Sequence, residues 1–340
     1  MYFFFSKINS KLNKFLSCLF FFSTEKKFYK YDSIKTKVIK YKIKKKDWNN
    51  TSISKSKIKD FYFLEKKINF INLYCDPYSG FFFSKFGRPI ISEHIFKHYI
   101  NIYFNFFLPF FISKKKIKNG VFFGGYFMEN YCHFLFYIYV PILLLPKHYT
   151  LVFDSRLLNQ NFFIDYLNII KDRKYVFINK PTFFEKGLIY QKKYLGKKEL
   201  KNIGSITLKK NNNYKIIYLK RQSLIRNINS YNEIKIISFL KKRFKNIKII
   251  TCKNLSLKDQ IKIFSNTQII IGTHGADFAN IIFGLKNIKK IIEFCHPLFF
   301  TGVYTRISKL YNIKHTQIVG THSGNNYEFS VDINILKKII

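Results

Sequence analysis

The segment Gln268–Phe294, QIIIGTHGADFANIIFGLKNIKKIIEF, decides how the chain is read. Three successive β-branched residues, Ile269 to Ile271, favour an extended backbone. Gly272-Thr273-His274-Gly275 breaks the run. The apolar positions then fall at helical spacing, with Phe278, Ile281, Ile282 and Leu285 on one face. A second β-branched pair, Ile291-Ile292, closes on Glu293. Strand, polar turn, helix, strand and acidic residue together suit a βαβ unit holding a phosphorylated ligand. In such a unit glycines bring the backbone close to the ligand, and the first helical N–H groups face its charge. A plain structural βαβ unit with a chance histidine accounts for this one stretch equally well.

Outward from this unit the alternation continues. Lys215–Leu219 and Ile247–Thr251 read as strands with a helix, Tyr231–Phe244, between them. Ser256, with Asp259 three residues on, reads as the cap of the next helix. A helix over Thr301–Tyr311, a strand over Thr316–Val319 and an amphipathic helix over Val331–Ile340 follow. This pattern predicts an α/β domain over 206–340 with a parallel, doubly wound sheet. Lys192–Asn213, polar and glycine-bearing, reads as a linker. Upstream, 61–205 reads as a second α/β domain. Its strands are expected at Ile68–Tyr74, Thr150–Phe153, Tyr175–Ile178 and Gly187–Tyr190, and its helices at Ser92–Asn101 and Leu157–Ile170. Residues 1–60 form a basic leader with one strand over Lys37–Ile43.

Composition narrows the class. Hydrophobic residues make up 47% and aromatics 19%, enough for packed cores, which excludes a disordered chain. Sixty Lys and Arg face 19 Asp and Glu, a net +41 that attracts phosphorylated ligands, polyanions or anionic lipid. Only seven residues are arginine, and two of them, Arg221 and Arg226, share one short loop. Five scattered cysteines without a CxxC pair predict a reduced compartment and no structural zinc. The apolar windows Ile100–Ile112 and Tyr131–Leu145 contain proline and fall short of the roughly 20 residues of a spanning helix, so both are expected in the core. Phe15–Phe22 is shorter still. Phe3–Phe5 and Leu19–Phe22, with the nearby lysines, suit an interfacial anchor or a frayed cationic leader. His94 and His98 stand at i, i+4, a metal-ligand spacing, but no third ligand accompanies them and a helix surface is the expected reading.

In a doubly wound sheet the ligand lies outside the carboxyl ends of the strands. Three features fall there. Arg221 and Arg226 follow the first strand, and a guanidinium presents a planar fork to phosphate. Thr273-His274-Gly275-Ala276 opens a helix, where backbone N–H groups favour negative charge. Glu293 ends a strand, where a carboxylate can accept two ribose hydroxyls. Together they predict a nucleotide diphosphate. GxGxxG and GxxxxGK[ST] are both missing, which disfavours a dinucleotide cofactor and an NTPase. The chain also has no DxD, so the diphosphate is expected to be neutralised by arginine and backbone N–H, without a metal. A nucleotide sugar fits as co-substrate, with no cofactor.

These segments resemble glycosyltransferase family 61, which includes many capsular-polysaccharide proteins. Asn130-Tyr131-Cys132-His133-Phe134 is similar to the family's Asn-Tyr-x-His-Trp segment. Arg221, Arg226, Asn232 and Glu233 match its arginine loop and the Asn-Glu that opens a helix. Gly272, His274, Gly275, Ala276, Asn280 and Glu293 match its Gly-x-His-Gly-Ala-Gly-x-x-Asn segment and following strand. Phe134, Tyr137, Ile142 and Asp277 depart from the family's Trp, Glu, Arg and Gly.

The resemblance implies a GT-B-like fold, two Rossmann-like domains facing a cleft, and an inverting displacement. In that scheme a base takes the acceptor proton while Arg221, Arg226 and Thr273–Ala276 stabilise the departing diphosphate. His133, polar in an apolar helix, is the candidate base, and a core histidine bonded to backbone is the alternative. Glu129 and Asp277 are outside candidates for that role. Asn280 joins the donor set, while Asn130, Asn232, Glu233 and Gly272 are supporting residues. The expected partners are a nucleotide-sugar donor, a glycan or glycolipid acceptor and an anionic membrane surface, placing the protein at its cytoplasmic face. Competing readings are a degenerate transferase that binds nucleotide sugar without turnover and a basic nucleic-acid-binding protein. The latter is disfavoured because the lysines run along the whole chain and no recognition module is present.

Overall fold

A computed structural model of the chain describes residues 39–41, 61–63, 65–83, 89–91, 110–125, 127–192, 214–222, 226–298, 302–322 and 328–340. The apolar leader stretches, the helix expected over Ser92–Asn101 with His94 and His98, and the linker expected beyond Lys192 lie outside these residues. The chain is mixed α/β and forms two compact units, the first containing Tyr62–Leu195 and the second Gly196–Ile340. Among the described residues, no helix is long and apolar enough to cross a membrane.

Two short strands come first, β1 (Ile39–Tyr41) and β2 (Phe61–Phe63). The first unit is then built on β3 (Glu65–Cys75), β4 (Phe82–Phe83), β5 (Pro89–Ile91), β6 (Lys116–Ile117), β7 (Gly120–Phe123), β8 (Thr150–Asp154), β9 (Tyr175–Ile178) and β10 (Thr182–Lys192). They form one sheet in the order β5-β4-β3-β10-β7-β8-β9, with β6 beside β10. β7, β8 and β9 are parallel neighbours, and helices supply the crossovers that parallel strands require. The rest of the sheet departs from the alternation expected. β3 and β10 run antiparallel in register from Cys75↔Thr182 to Glu65↔Lys192. Both strands are therefore longer than local pattern suggests, because partners over a hundred residues apart stabilise each other's polar ends.

Tyr131–Leu144, expected in the core, is a continuous helical rod between β7 and β8. An α-turn at Tyr131–Phe134 leads into a π segment, Leu135–Tyr139, and then an α segment, Val140–Leu144. Pro141 explains the widening: it has no N–H for the carbonyl four residues back, and its ring would strike that carbonyl. The wider turn closes instead through Val140 N–H to Leu135 O. Asn130 caps the rod by accepting from Cys132 N at 3.0 Å. Phe134, Leu135, Ile138 and Tyr139 are fully buried.

The second unit contains β11 (Ile216–Leu219), β12 (Asn227–Ile228), β13 (Ile247–Ile250), β14 (Ile269–Thr273), β15 (Lys290–Cys295), β16 (Lys314–Val319), β17 (Thr321–His322) and β18 (Glu328–Ser330). Five of them make an all-parallel sheet ordered β13-β11-β14-β15-β16. Ile270, Ile271, Ile291 and Ile292 are completely buried, as expected of strands covered on both faces. Each such side chain contributes about 1.5–3 kcal/mol through burial, so the β-branched runs define the sheet's centre. Helices Ser230–Arg243, Leu257–Asn266 and Val303–Leu310 supply crossovers, and Ile333–Ile339 closes the chain. Ser256 caps the second helix as expected, its Oγ accepting from Asp259 N at 3.1 Å and donating to the Asp259 carboxylate at 2.6 Å.

Candidate functional site

Strand order in the second unit reverses direction between β11 and β14, and ligands of doubly wound sheets bind at such a switch point, outside the carboxyl ends. Arg221 follows β11 and His274 follows β14. The Arg221 Nη1 donates to the His274 carbonyl oxygen. Two glycines permit this approach. A Cβ on Gly272 would overlap the Leu219 carbonyl oxygen of the paired strand, and one on Gly275 would overlap Arg221 Nη1. The glycines were expected to admit a ligand; here they admit the neighbouring strand and the arginine. Gly275 needs no special backbone, since its φ of −177° is ordinary extended chain.

The expected helix after Gly275 is shorter than its sequence suggests. Ala276–Asn280 is a 3-10 turn, and only Ile281–Gly284 is α-helical. So brief a segment has little macrodipole, and His274 N–H is already spent on Phe294 O at 2.8 Å. An anion placed there would therefore meet chiefly side chains. Arg221 and Arg226 lie close enough to feel each other's charge, and burial followed by Arg226 pushes the Arg221 guanidinium below its usual value. Arg226 is exposed and holds a φ of 62°, a left-handed conformation that a bulky residue adopts at an energetic cost.

Asp277 faces Arg221. Burial raises its carboxyl, and Arg221 works against that rise. Tyr304 donates its hydroxyl to Gly275 O at 2.7 Å and lays its ring 5.5 Å from that of His274. His296 and His322 follow β15 and β16 with ring centroids 5.0 Å apart, and His296 also feels Arg226. Arginine or histidine side chains thus follow four of the five strands. Tyr304, His296 and His322 were not legible in the sequence, because nothing local joins them to the His274 turn.

Glu293 sits differently from its expected place. It is completely buried, and its oxygens accept from His274 Nδ1 at 2.5 Å, Gln317 Nε2 at 2.7 Å and His315 Nε2 at 3.0 Å. Burial alone would raise this carboxyl, but His274 and His315 pull it down to about 2. A carboxylate so enclosed supports His274; it offers no oxygen to a ribose. Asn280, expected in the donor set, is likewise buried, and its Nδ2 donates to Gln260 Oε1 at 2.8 Å and Asp277 O at 3.0 Å. Thr273 is buried at the end of β14. Asn232 clamps Val331 through both its amide N–H and carbonyl, at 2.8 and 3.1 Å. Glu233 accepts from the Tyr218 hydroxyl at 2.9 Å and pairs with Lys220 at 3.6 Å.

His274, Glu293 and Cys295 bring three potential metal-ligand atoms within 4.8 Å of one another. The Glu293 oxygens are already filled by donors, and burial with Glu293 nearby pushes the Cys295 thiol up, away from thiolate. That donor set suits a hydrogen-bonded network better than a cation.

In the first unit, His133 is half-buried, and its Nδ1 lies 2.9 Å from Phe127 O. A carbonyl only accepts, so Nδ1 carries the proton and the neutral ring keeps its lone pair on Nε2. Burial lowers the ring's affinity for a second proton, partly offset by the Phe127 carbonyl. Phe127 reaches this position with a φ of 66°. The Tyr137 ring lies 5.8 Å from His133, and Ile142 is buried in the core. Beside this loop stands a cluster the sequence did not single out. Arg156 pairs with Asp154 and donates to Tyr78 O and Gly125 O, each at 3.2 Å, with Glu129 at 3.7 Å. It ties together the loops that follow β3, β7 and β8.

A family model described as Glycosyltransferase 61 matches residues 103–292, more than half of the chain. No curated protein matches the chain.

Proposed function

The chain belongs to glycosyltransferase family 61, and from that premise we propose that it transfers a sugar, with inversion, from a nucleotide sugar to a cell-surface polysaccharide or glycolipid. Membership implies a donor and an acceptor. The proposal assigns the donor to the second unit and the acceptor to the first, a GT-B-like division of labour. It places the work at the cytoplasmic face of an anionic membrane, which the net charge of +41 favours. Capsular polysaccharide synthesis is the setting that suits it.

One observation carries the donor assignment: Arg221, locked on the His274 carbonyl against Gly275, stands with Arg226 at the switch point of a parallel sheet. These two guanidinium groups, with His274, would hold the diphosphate and stabilise its charge as it leaves, without a metal. His133 Nε2 would take the acceptor hydroxyl proton as that oxygen attacks the anomeric carbon. Glu293 acts in this scheme by positioning His274, and Asn280, Asn232, Glu233 and Asn130 by holding the fold around the site.

A second reading, binding without turnover, is favoured by Asp277, a carboxyl set against Arg221 where the family pattern has Gly. A nucleotide-sugar panel separates the two. Binding followed by release of nucleoside diphosphate supports transfer, binding without release supports the degenerate reading, and a chain that binds none of the panel contradicts both.

A further inference from the structure

The carboxylate of Glu293 is enclosed by donors from the turn after β14 and from within the neighbouring strand β16, with no surface left for solvent. The hydrogen-bond order around it is determined by what each group can do. The Gln317 amide nitrogen only donates, so Oε2 accepts. His315 gives its Nε2 proton to the same oxygen, which leaves its Nδ1 as acceptor for the Ser308 hydroxyl at 2.9 Å. Oε1 then accepts from His274 Nδ1. Reversing any link to the carboxylate is impossible, because an ionised carboxylate only accepts.

We propose that this chain makes His274 the charged contact of the donor diphosphate: Nδ1–H remains on Glu293, Nε2 takes a proton from solvent as the phosphate binds, and the buried carboxylate is the counter-ion. The inference rests on the assignment of the second unit to the donor. A phosphate oxygen only accepts, so a neutral ring with Nδ1–H would turn a lone pair toward it. A proton on Nε2 replaces that repulsion with a charge-assisted bond. Ser308, His315 and Gln317 are positioning residues in this arrangement. Arg221, Asp277 and Tyr304 also face the His274 loop, and Cys295 lies on the Glu293 side.

Calorimetry with uridine, guanosine, adenosine and thymidine diphosphates, run in buffers of different ionisation enthalpy, measures the protons taken up on binding. Over a pH series the protein should take up a proton on binding and bind more weakly as pH rises. In Glu293→Gln, His315 and Gln317 hold the new carbonyl, so the –NH2 faces His274 and drives the ring proton to Nε2. Uptake should vanish and affinity fall about tenfold or more. Nitrogen-15 shifts of histidine-labelled protein report that tautomer change independently of activity. His315→Leu removes one donor but leaves the carboxylate on His274, so uptake should persist there, and His315→Gln, which keeps an amide donor toward Glu293, should stay near the parent. Binding without proton uptake, or uptake unchanged in Glu293→Gln, overturns the inference while the donor site stands. Failure of all four diphosphates to bind at any pH overturns the donor assignment itself, and this inference with it.

Discussion

Replacing Gly275 by alanine tests the arginine clamp without touching either charged group. The backbone there is extended, with φ −177° and ψ 179°, so alanine is tolerated conformationally. Its Cβ would overlap Arg221 Nη1, the far end of a flexible side chain that can swing aside. The fold should survive while the guanidinium leaves the His274 carbonyl. A hydrogen bond to a charged group is worth about 1.5–3 kcal/mol, and losing the preorganised clamp should weaken nucleoside diphosphate binding roughly 10- to 150-fold. Gly272→Ala is the control. Its Cβ would strike the Leu219 carbonyl of the paired strand, which cannot swing aside, and the sheet should lose about 1–3 kcal/mol. Calorimetry for binding and thermal melting for stability separate the two. The reasoning is refuted if Gly275→Ala binds within twofold of the parent while Arg221→Ala loses binding, or if Gly275→Ala melts as early as Gly272→Ala.

Three other substitutions or conditions probe the remaining parts. His133→Ala should lower transfer about 10²–10⁴-fold with diphosphate affinity unchanged, and equal loss of both would remove His133 from the role of base. Asn280→Ala leaves Gln260 short of its buried partner and should cost about 1–3 kcal/mol of stability. If it instead weakens binding at an unchanged melting temperature, Asn280 contacts the donor after all. Glu293 has its carboxyl lowered from 4.5 to about 2 by folding. Its contribution is complete above pH 4.5 and is lost as pH falls toward 2, so denaturant melts should show stability dropping across that window. In Glu293→Gln that component of the acid dependence should be missing.

The α/β class and most elements of the second unit were legible because local signals agreed with tertiary ones. Ile270, Ile271, Ile291 and Ile292 are both β-branched and buried, and Ser256 with Asp259 caps the helix that its pattern announces. What sequence could not show was pairing at a distance. The antiparallel β3–β10 ladder joins segments that look unremarkable separately. The role of Glu293 was misread for a related reason. A carboxylate at a strand end suggests a ribose contact until Gln317, its register partner on β16, and His315, two residues away on the same face, are seen to fill it. His315 and Gln317, polar residues two apart on one face of the edge strand Lys314–Val319, are the signal that could have revealed this. Gly275 was read as space for a ligand because sequence cannot say which group approaches a glycine.

The most direct test of the account is nucleoside diphosphate release from a nucleotide-sugar panel, measured for the parent protein and for Arg221→Ala at matched thermal stability. The account predicts that at least one nucleotide sugar binds the parent and yields its diphosphate, and that Arg221→Ala loses that binding. Release that proceeds equally in Arg221→Ala, or a parent protein that binds no nucleotide sugar, would contradict it.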